Sequence, residues 1–181
     1  ENLFTGTQEL ETDFSLIDRF YSGEPFLLEK QKVKLFPNQF LLLKNEATNK
    51  SAICRFEGYD KPLKKVNKFK NIWGNKEQQY AMDLLFDKDI HVISLTGPAG
   101  TGKTLLATAC ALEQVMNTTS TNGGYDKLII TRPVQPMGRD IGFLPGTLEE
   151  KMMPWIAPIR DNLEHLFGDR TALDMQIEQG T

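Results

Sequence analysis

The chain has 181 residues, 40% of them hydrophobic, and a formal net charge of −3 at pH 7, an ordinary soluble composition with enough apolar mass for one core plus a small appended module. No apolar run approaches the roughly 20 residues that cross a bilayer, and the N-terminus lacks a basic-then-apolar signal pattern, so a cytoplasmic protein is expected. The only cysteines, Cys54 and Cys110, lie far apart in apolar contexts, which argues against a disulfide framework or a Cys/His metal cluster and for plain buried thiols.

In chain order, Leu10, Phe14, Ile17 and Tyr21 recur at helical spacing, so an amphipathic helix is expected over 9–21. After Gly23 the pattern turns to short extended runs: 25–28, 32–35, 40–43 and 51–56. The polar insert Asn45 to Lys50 has turn composition and makes the last two a hairpin. Residues 61–76 then carry six lysines and no acid, interleaved with Phe69, Ile72 and Trp73. Basic residues alternating with aromatics suit a nucleic-acid backbone and stacked bases, which singles out Lys64, Lys65 and Lys68; a solvated interdomain linker is the competing reading. Residues 1–70 are therefore read as a helix, a small β-rich module and a basic linker, and 71–181 as the front part of a second domain. A helix from Glu77 to Phe86 opens that second part, and Gln78 in its first turn has an amide that matches the donor and acceptor positions on the edge of adenine.

Residues 90–104 carry the densest chemistry. A β-branched run, Ile90 to Leu95, leads into Gly97-Pro98-Ala99-Gly100-Thr101-Gly102-Lys103-Thr104, the spacing G-x-x-x-x-G-K-[ST] of a Walker A loop. A triphosphate is held there by consecutive inward N–H groups, and side chains at the glycines would block its approach. Lys103 is expected to reach the β- and γ-phosphates and the Thr104 hydroxyl to ligate Mg²⁺, with the N-terminal partial charge of the following helix adding to both. That helix is read from Lys103 to about Met116, so Leu105 lies in its first turn and completes the cofactor-binding stretch. A second apolar run, Lys127 to Thr131, makes a βαβ unit, the start of a parallel-sheet α/β fold with helices on both faces. Thr131 and Arg132 then fall at the carboxyl edge of the sheet, where such folds bind ligands. Downstream, Thr147 and Glu150 have capping-box spacing, Pro154 and Pro158 are expected to limit helix regularity, and a final helix from Ile159 to Phe167 stops at Gly168.

Together these residues resemble the PhoH family of P-loop ATPases. The resemblance rests on the Walker loop, on Ile130-Thr131-Arg132-Pro133 and above all on Met137-Gly138-Arg139-Asp140-Ile141-Gly142-Phe143-Leu144-Pro145-Gly146-Thr147-Leu148-Glu149-Glu150-Lys151. It covers roughly residues 25–168 and points to the branch that joins a PhoH domain to an N-terminal PIN ribonuclease domain; no PIN domain is found in this chain. The resemblance implies ATP hydrolysis coupled to binding or unwinding of single-stranded RNA, on a core similar to superfamily 1 helicases, in a homo-oligomeric ring, commonly a hexamer. Carried over by position, Gln78 reads adenine, Lys103 and Thr104 are the Walker pair, and Thr131 with Arg132 touches nucleic acid. Arg139 is either an arginine finger acting on a neighbouring subunit's nucleotide or a structural partner of Glu149 or Glu150. No apolar strand ends in Asp-Glu after the loop, so the Walker B acids are expected downstream of Thr181, and the chain is read as part of a longer protein. Two other classes compete: a P-loop small-molecule kinase, disfavoured by Gln78, Arg132 and Arg139, and an assembly module ordered by nucleotide without turnover.

Overall fold

The structure is a computed structural model that describes residues 6–29, 34–66, 74–116, 125–131 and 148–168. The chain forms two compact units, Glu1–Leu84 and Leu85–Thr181.

The first unit is built on four strands, β1 (Thr7–Glu11), β2 (Gln39–Asn45), β3 (Lys50–Phe56) and the two-residue β4 (Lys64–Lys65), in the order β1-β2-β3-β4. Helix α1 (Phe14–Tyr21) connects β1 to β2, which run parallel, while β2–β3 and β3–β4 are antiparallel. The expected hairpin is present, with Leu41 opposite Cys54 and Leu43 opposite Ala52. Its turn is held by Asn45, whose Oδ1 accepts both the backbone N–H and the hydroxyl of Thr48 at 3.0 and 2.7 Å. Alternation then separates two cores. Leu41, Leu43, Ala52, Cys54 and Phe56 pack with Ile17 and Phe20 of α1, whereas Phe40 packs with Val66, with Tyr80 of α2 (Lys76–Leu85) and with the partly buried Ile53 and Leu84. The Phe40 and Tyr80 rings stack at 4.3 Å.

Three expectations for this unit are corrected. The helix begins at Phe14, not residue 9, because Leu10 fits a period of two as well as of four; as part of β1 it joins the first core, and Asp13 at the helix N-cap has extended backbone. The run 25–28 forms only an isolated bridge between Leu27 and Pro62, and residues 34–35 form no strand; the rest of the 32–35 run lies outside the described residues. The front of the basic stretch is not a linker, since Leu63 and Val66 are buried on either side of Lys64 and Lys65, which makes this segment the fourth strand.

The second unit contains α3 (Lys103–Met116) and α4 (Leu148–Phe167), which pack against each other. Thr108, Cys110 and Val115 are the buried positions of α3. Helix α4 runs unbroken through Pro154 and Pro158, contrary to expectation. Each proline removes one backbone donor but leaves the neighbouring helical bonds, and the helix ends as expected at Gly168, whose N–H bonds Glu164 O at 2.9 Å with φ 69°. The expected capping residue Thr147 lies outside the described residues. Among the described residues, the runs Ile90–Leu95 and Lys127–Thr131 form no strand ladder. A strand inside a parallel sheet is stabilised by neighbours on both edges and cover on both faces; among the described residues Val92 is 88% and Ile129 74% exposed, so neither position is covered by them. No described helix is long and apolar enough to cross a membrane.

Candidate functional site

The glycine loop of the second unit has the backbone its spacing demands. Gly100 and Gly102 lie at φ 79° and 81°, the left-handed region that side-chain-bearing residues rarely adopt. A Cβ at Gly100 would meet nothing within 4 Å, so crowding within the protein does not explain that glycine; backbone conformation and room for a ligand do. Directly after the loop, α3 begins at Lys103, with Leu106 N–H bonded to Gly102 O at 2.8 Å.

Lys103 does not project away from the helix. Its Nζ donates to Pro98 O at 2.6 Å and to Thr101 Oγ1 at 3.3 Å, and Thr101 Oγ1 donates to Pro98 O at 3.0 Å. The structure thus brings Pro98, Thr101 and Lys103 together around an ammonium group on an exposed loop at a helix N-terminus. Ala99 and Thr104 are exposed and Leu105 half-buried. This residue set fits a polyphosphate anion: a glycine loop with left-handed backbone, one lysine ammonium and a helix N-terminus, with no acid in the loop. The Thr104 hydroxyl, in the first turn and exposed, is where a Mg²⁺ ion bound to that anion would be met.

Gln78 sits in the first unit, at the third position of α2. Its Oε1 accepts the Asn75 N–H at 3.0 Å while Asn75 Oδ1 accepts the Gln78 N–H at 2.9 Å, a reciprocal capping box. The asparagine three residues before Gln78 carried that signal in the sequence.

Lys64 and Lys65 lie on β4, also in the first unit. Lys64 Nζ is 3.4 Å from Glu57 Oε1, and Lys65 Nζ stands 5.7 Å from the centre of the Tyr21 ring. Thr131 is exposed at the end of its run, and Lys68, Arg132 and Arg139 lie outside the described residues.

One feature had no counterpart in the sequence reading. Arg55, next to the last residue of β3 and 1% exposed, places Nη1 3.1 Å from Asp83 Oδ2 of α2 and Nη2 2.8 Å from Glu57 Oε1. The Arg55 bond, and secondarily the charge of Lys64, holds the Glu57 carboxyl below its ordinary value. An arginine set between Cys54 and Phe56 in the apolar half of the strand was the available signal. Burial pushes Cys54 up to about 12 and Cys110 up to about 11, so both are protonated, unreactive thiols at neutral pH.

A helix entered through left-handed glycines with a lysine at its first position defines the P-loop class of α/β nucleotide-binding proteins. Within that class, the PhoH-like protein family matches residues 73–181, and the chain belongs to it. It is 41% identical over 174 residues to protein PhoH2 of Bacillus subtilis (strain 168), covering 92% of this chain and 38% of that protein. Against protein PhoH2 of Thermobispora bispora it is 34% identical over 169 residues, 90% of this chain and 37% of the relative. A PhoH-like protein of Bacillus subtilis is 38% identical over 117 residues, 61% of this chain and 33% of the relative. The chain therefore spans a little over a third of the length of the curated relatives it matches most fully. No solved structure matches it.

Proposed function

We propose that this chain is the ATP-binding part of an RNA-dependent ATPase of helicase type, acting in the cytoplasm within a homo-oligomeric ring. The observation that carries the reading is the Lys103 ammonium held over an exposed glycine loop at the start of α3. In this reading the stretch from Gly97 to Leu105 cradles the triphosphate. Lys103 exchanges its bonds to Pro98 O and Thr101 Oγ1 for the β- and γ-phosphates, and the Thr104 hydroxyl holds Mg²⁺. Bound Mg²⁺ supplies charge neutralisation at the phosphate oxygens. Gln78 selects the adenine base. Thr131, Arg132 and Lys68 contact single-stranded RNA, with Lys64 and Lys65 contributing less because each already has an internal partner. Arg139 either acts on the nucleotide of a neighbouring subunit or pairs with Glu149 or Glu150 of its own.

A second reading is an assembly module that nucleotide orders without turnover. ATP turnover separates the two when measured with and without single-stranded RNA, on this chain and on a protein of its relatives' full length. RNA-stimulated turnover in the longer protein, abolished by Lys103→Ala, supports the ATPase; saturable ATP binding without turnover in either protein supports the assembly module.

A further inference from the structure

The carboxamide of Gln78 is folded back over the start of its own helix. Because a backbone N–H can only donate, the bond from Asn75 N–H assigns the two ends of this amide: Oε1 faces the helix start and Nε2 points away from that bond. The return bond, from Gln78 N–H to Asn75 Oδ1, fixes the backbone beneath it. Gly74 closes the other side. A Cβ at residue 74 would stand 2.8 Å from Gln78 Oε1 and 3.1 Å from Gln78 Cβ, so any side chain there displaces the carboxamide. The Gly74 carbonyl also accepts Gln79 Nε2 at 3.2 Å, which holds this backbone against the first turn of α2.

We propose that Gly74 and Asn75 are positioning residues for base selection, which lock the Gln78 carboxamide in one orientation; the proposal rests on the reading of Gln78 as the residue that meets the base. Adenine presents an amino donor beside the N7 acceptor, whereas guanine presents two acceptors on the same edge. A glutamine whose oxygen and nitrogen ends are held in place complements the first pattern and sets an oxygen against an acceptor in the second. Its carbonyl oxygen has a second lone pair, so capping and base contact are compatible at one atom. A locked side chain also avoids the conformational entropy that a free glutamine loses on binding.

Competition of MgATP against MgGTP on the whole chain tests this, with thermal melting recorded for every variant. Gly74→Ala lowers the preference for ATP about threefold to tenfold, the scale of one hydrogen bond, while affinity for inorganic tripolyphosphate stays the same. Asn75→Ala has a similar effect, and Asn75→Asp, which keeps the acceptor for Gln78 N–H, restores the preference. Should Gly74→Ala fail to fold, the Asn75 pair decides. Gln78→Glu separates cap from reader: a carboxylate accepts the Asn75 N–H and preserves the helix start, but it has no amide donor, so the preference falls with melting unchanged. Preference lost in Gln78→Glu yet intact in folded Gly74→Ala and in Asn75→Ala overturns the proposal and leaves the base reading standing. A wild-type chain without preference, or one unaffected by Gln78→Glu, overturns both and leaves Asn75 and Gln78 as a helix cap.

Discussion

The N-terminal unit and the P-loop unit treat apolar runs of similar composition in opposite ways. In the first, Leu41, Cys54 and Ile17 are fully buried, because β2 and β3 pair with each other and each face of the sheet has its own helix. In the second, Val92, Ile129 and Ile130 are exposed on runs that form no ladder among the described residues, while the glycine loop has left-handed backbone at Gly100 and Gly102. Strand formation is a property of pairs, whereas a phosphate loop needs only its own glycines and the helix that follows. The first unit therefore rests on long-range pairing, whereas the glycine loop of the second is set by local backbone conformation.

Substitutions that break this contrast rank by how much they leave buried and unmatched. Asp83→Ala is expected to be the most damaging, at about 3–5 kcal/mol, because it takes the carboxylate on the α2 side away from the buried Arg55 guanidinium and leaves Glu57 on the other; denaturant midpoints measure it. Replacing both partners, as in Arg55→Met with Asp83→Leu, recovers most of that loss. Next comes Leu41→Ala, expected at about 2–5 kcal/mol as a cavity in the first core, against Val92→Ala within about 0.5 kcal/mol in the second unit. Equal effects at Leu41 and Val92 would show that the two runs are buried alike and would dissolve the comparison.

The same logic explains what was legible in the sequence. The loop from Gly97 to Thr104 and the turn at Asn45 were readable because each is decided by residues a few positions apart. The β1–α1–β2 crossover was missed because Leu10 satisfies both periods, and an apolar run announces burial without naming its partner. Arg55 and Asp83, 28 positions apart, meet only after folding, and no spacing rule links them. Gln78 was read for its amide alone, whereas the structure makes it a helix cap first.

Smaller effects follow from titration. Both thiols should resist alkylation at pH 8 in the folded chain; for Cys110, a rise from 9.0 to about 11 lowers the thiolate fraction about 100-fold, read by mass spectrometry with and without denaturant. Since folding raises the Cys54 value to about 12, its contribution to stability is whole below pH 9.0 and is lost as the pH climbs toward 12. Glu57 has the opposite sign: its folded value lies below the ordinary 4.5, so its contribution is present above that pH and fades as acid takes the pH down through the folded value. Glu57→Gln should flatten the acid limb of the stability profile by a small amount, the least of the changes foreseen.

The central claim is that the loop at the head of α3 binds a nucleoside triphosphate through Lys103. Isothermal titration of MgATP into the wild-type chain and into Lys103→Ala tests it most directly. Saturable one-to-one binding that Lys103→Ala abolishes, with the melting temperature little changed because the side chain starts α3 and its bonds to Pro98 O and Thr101 Oγ1 are exposed, is the predicted result. Equal affinity in the two folded proteins would contradict it.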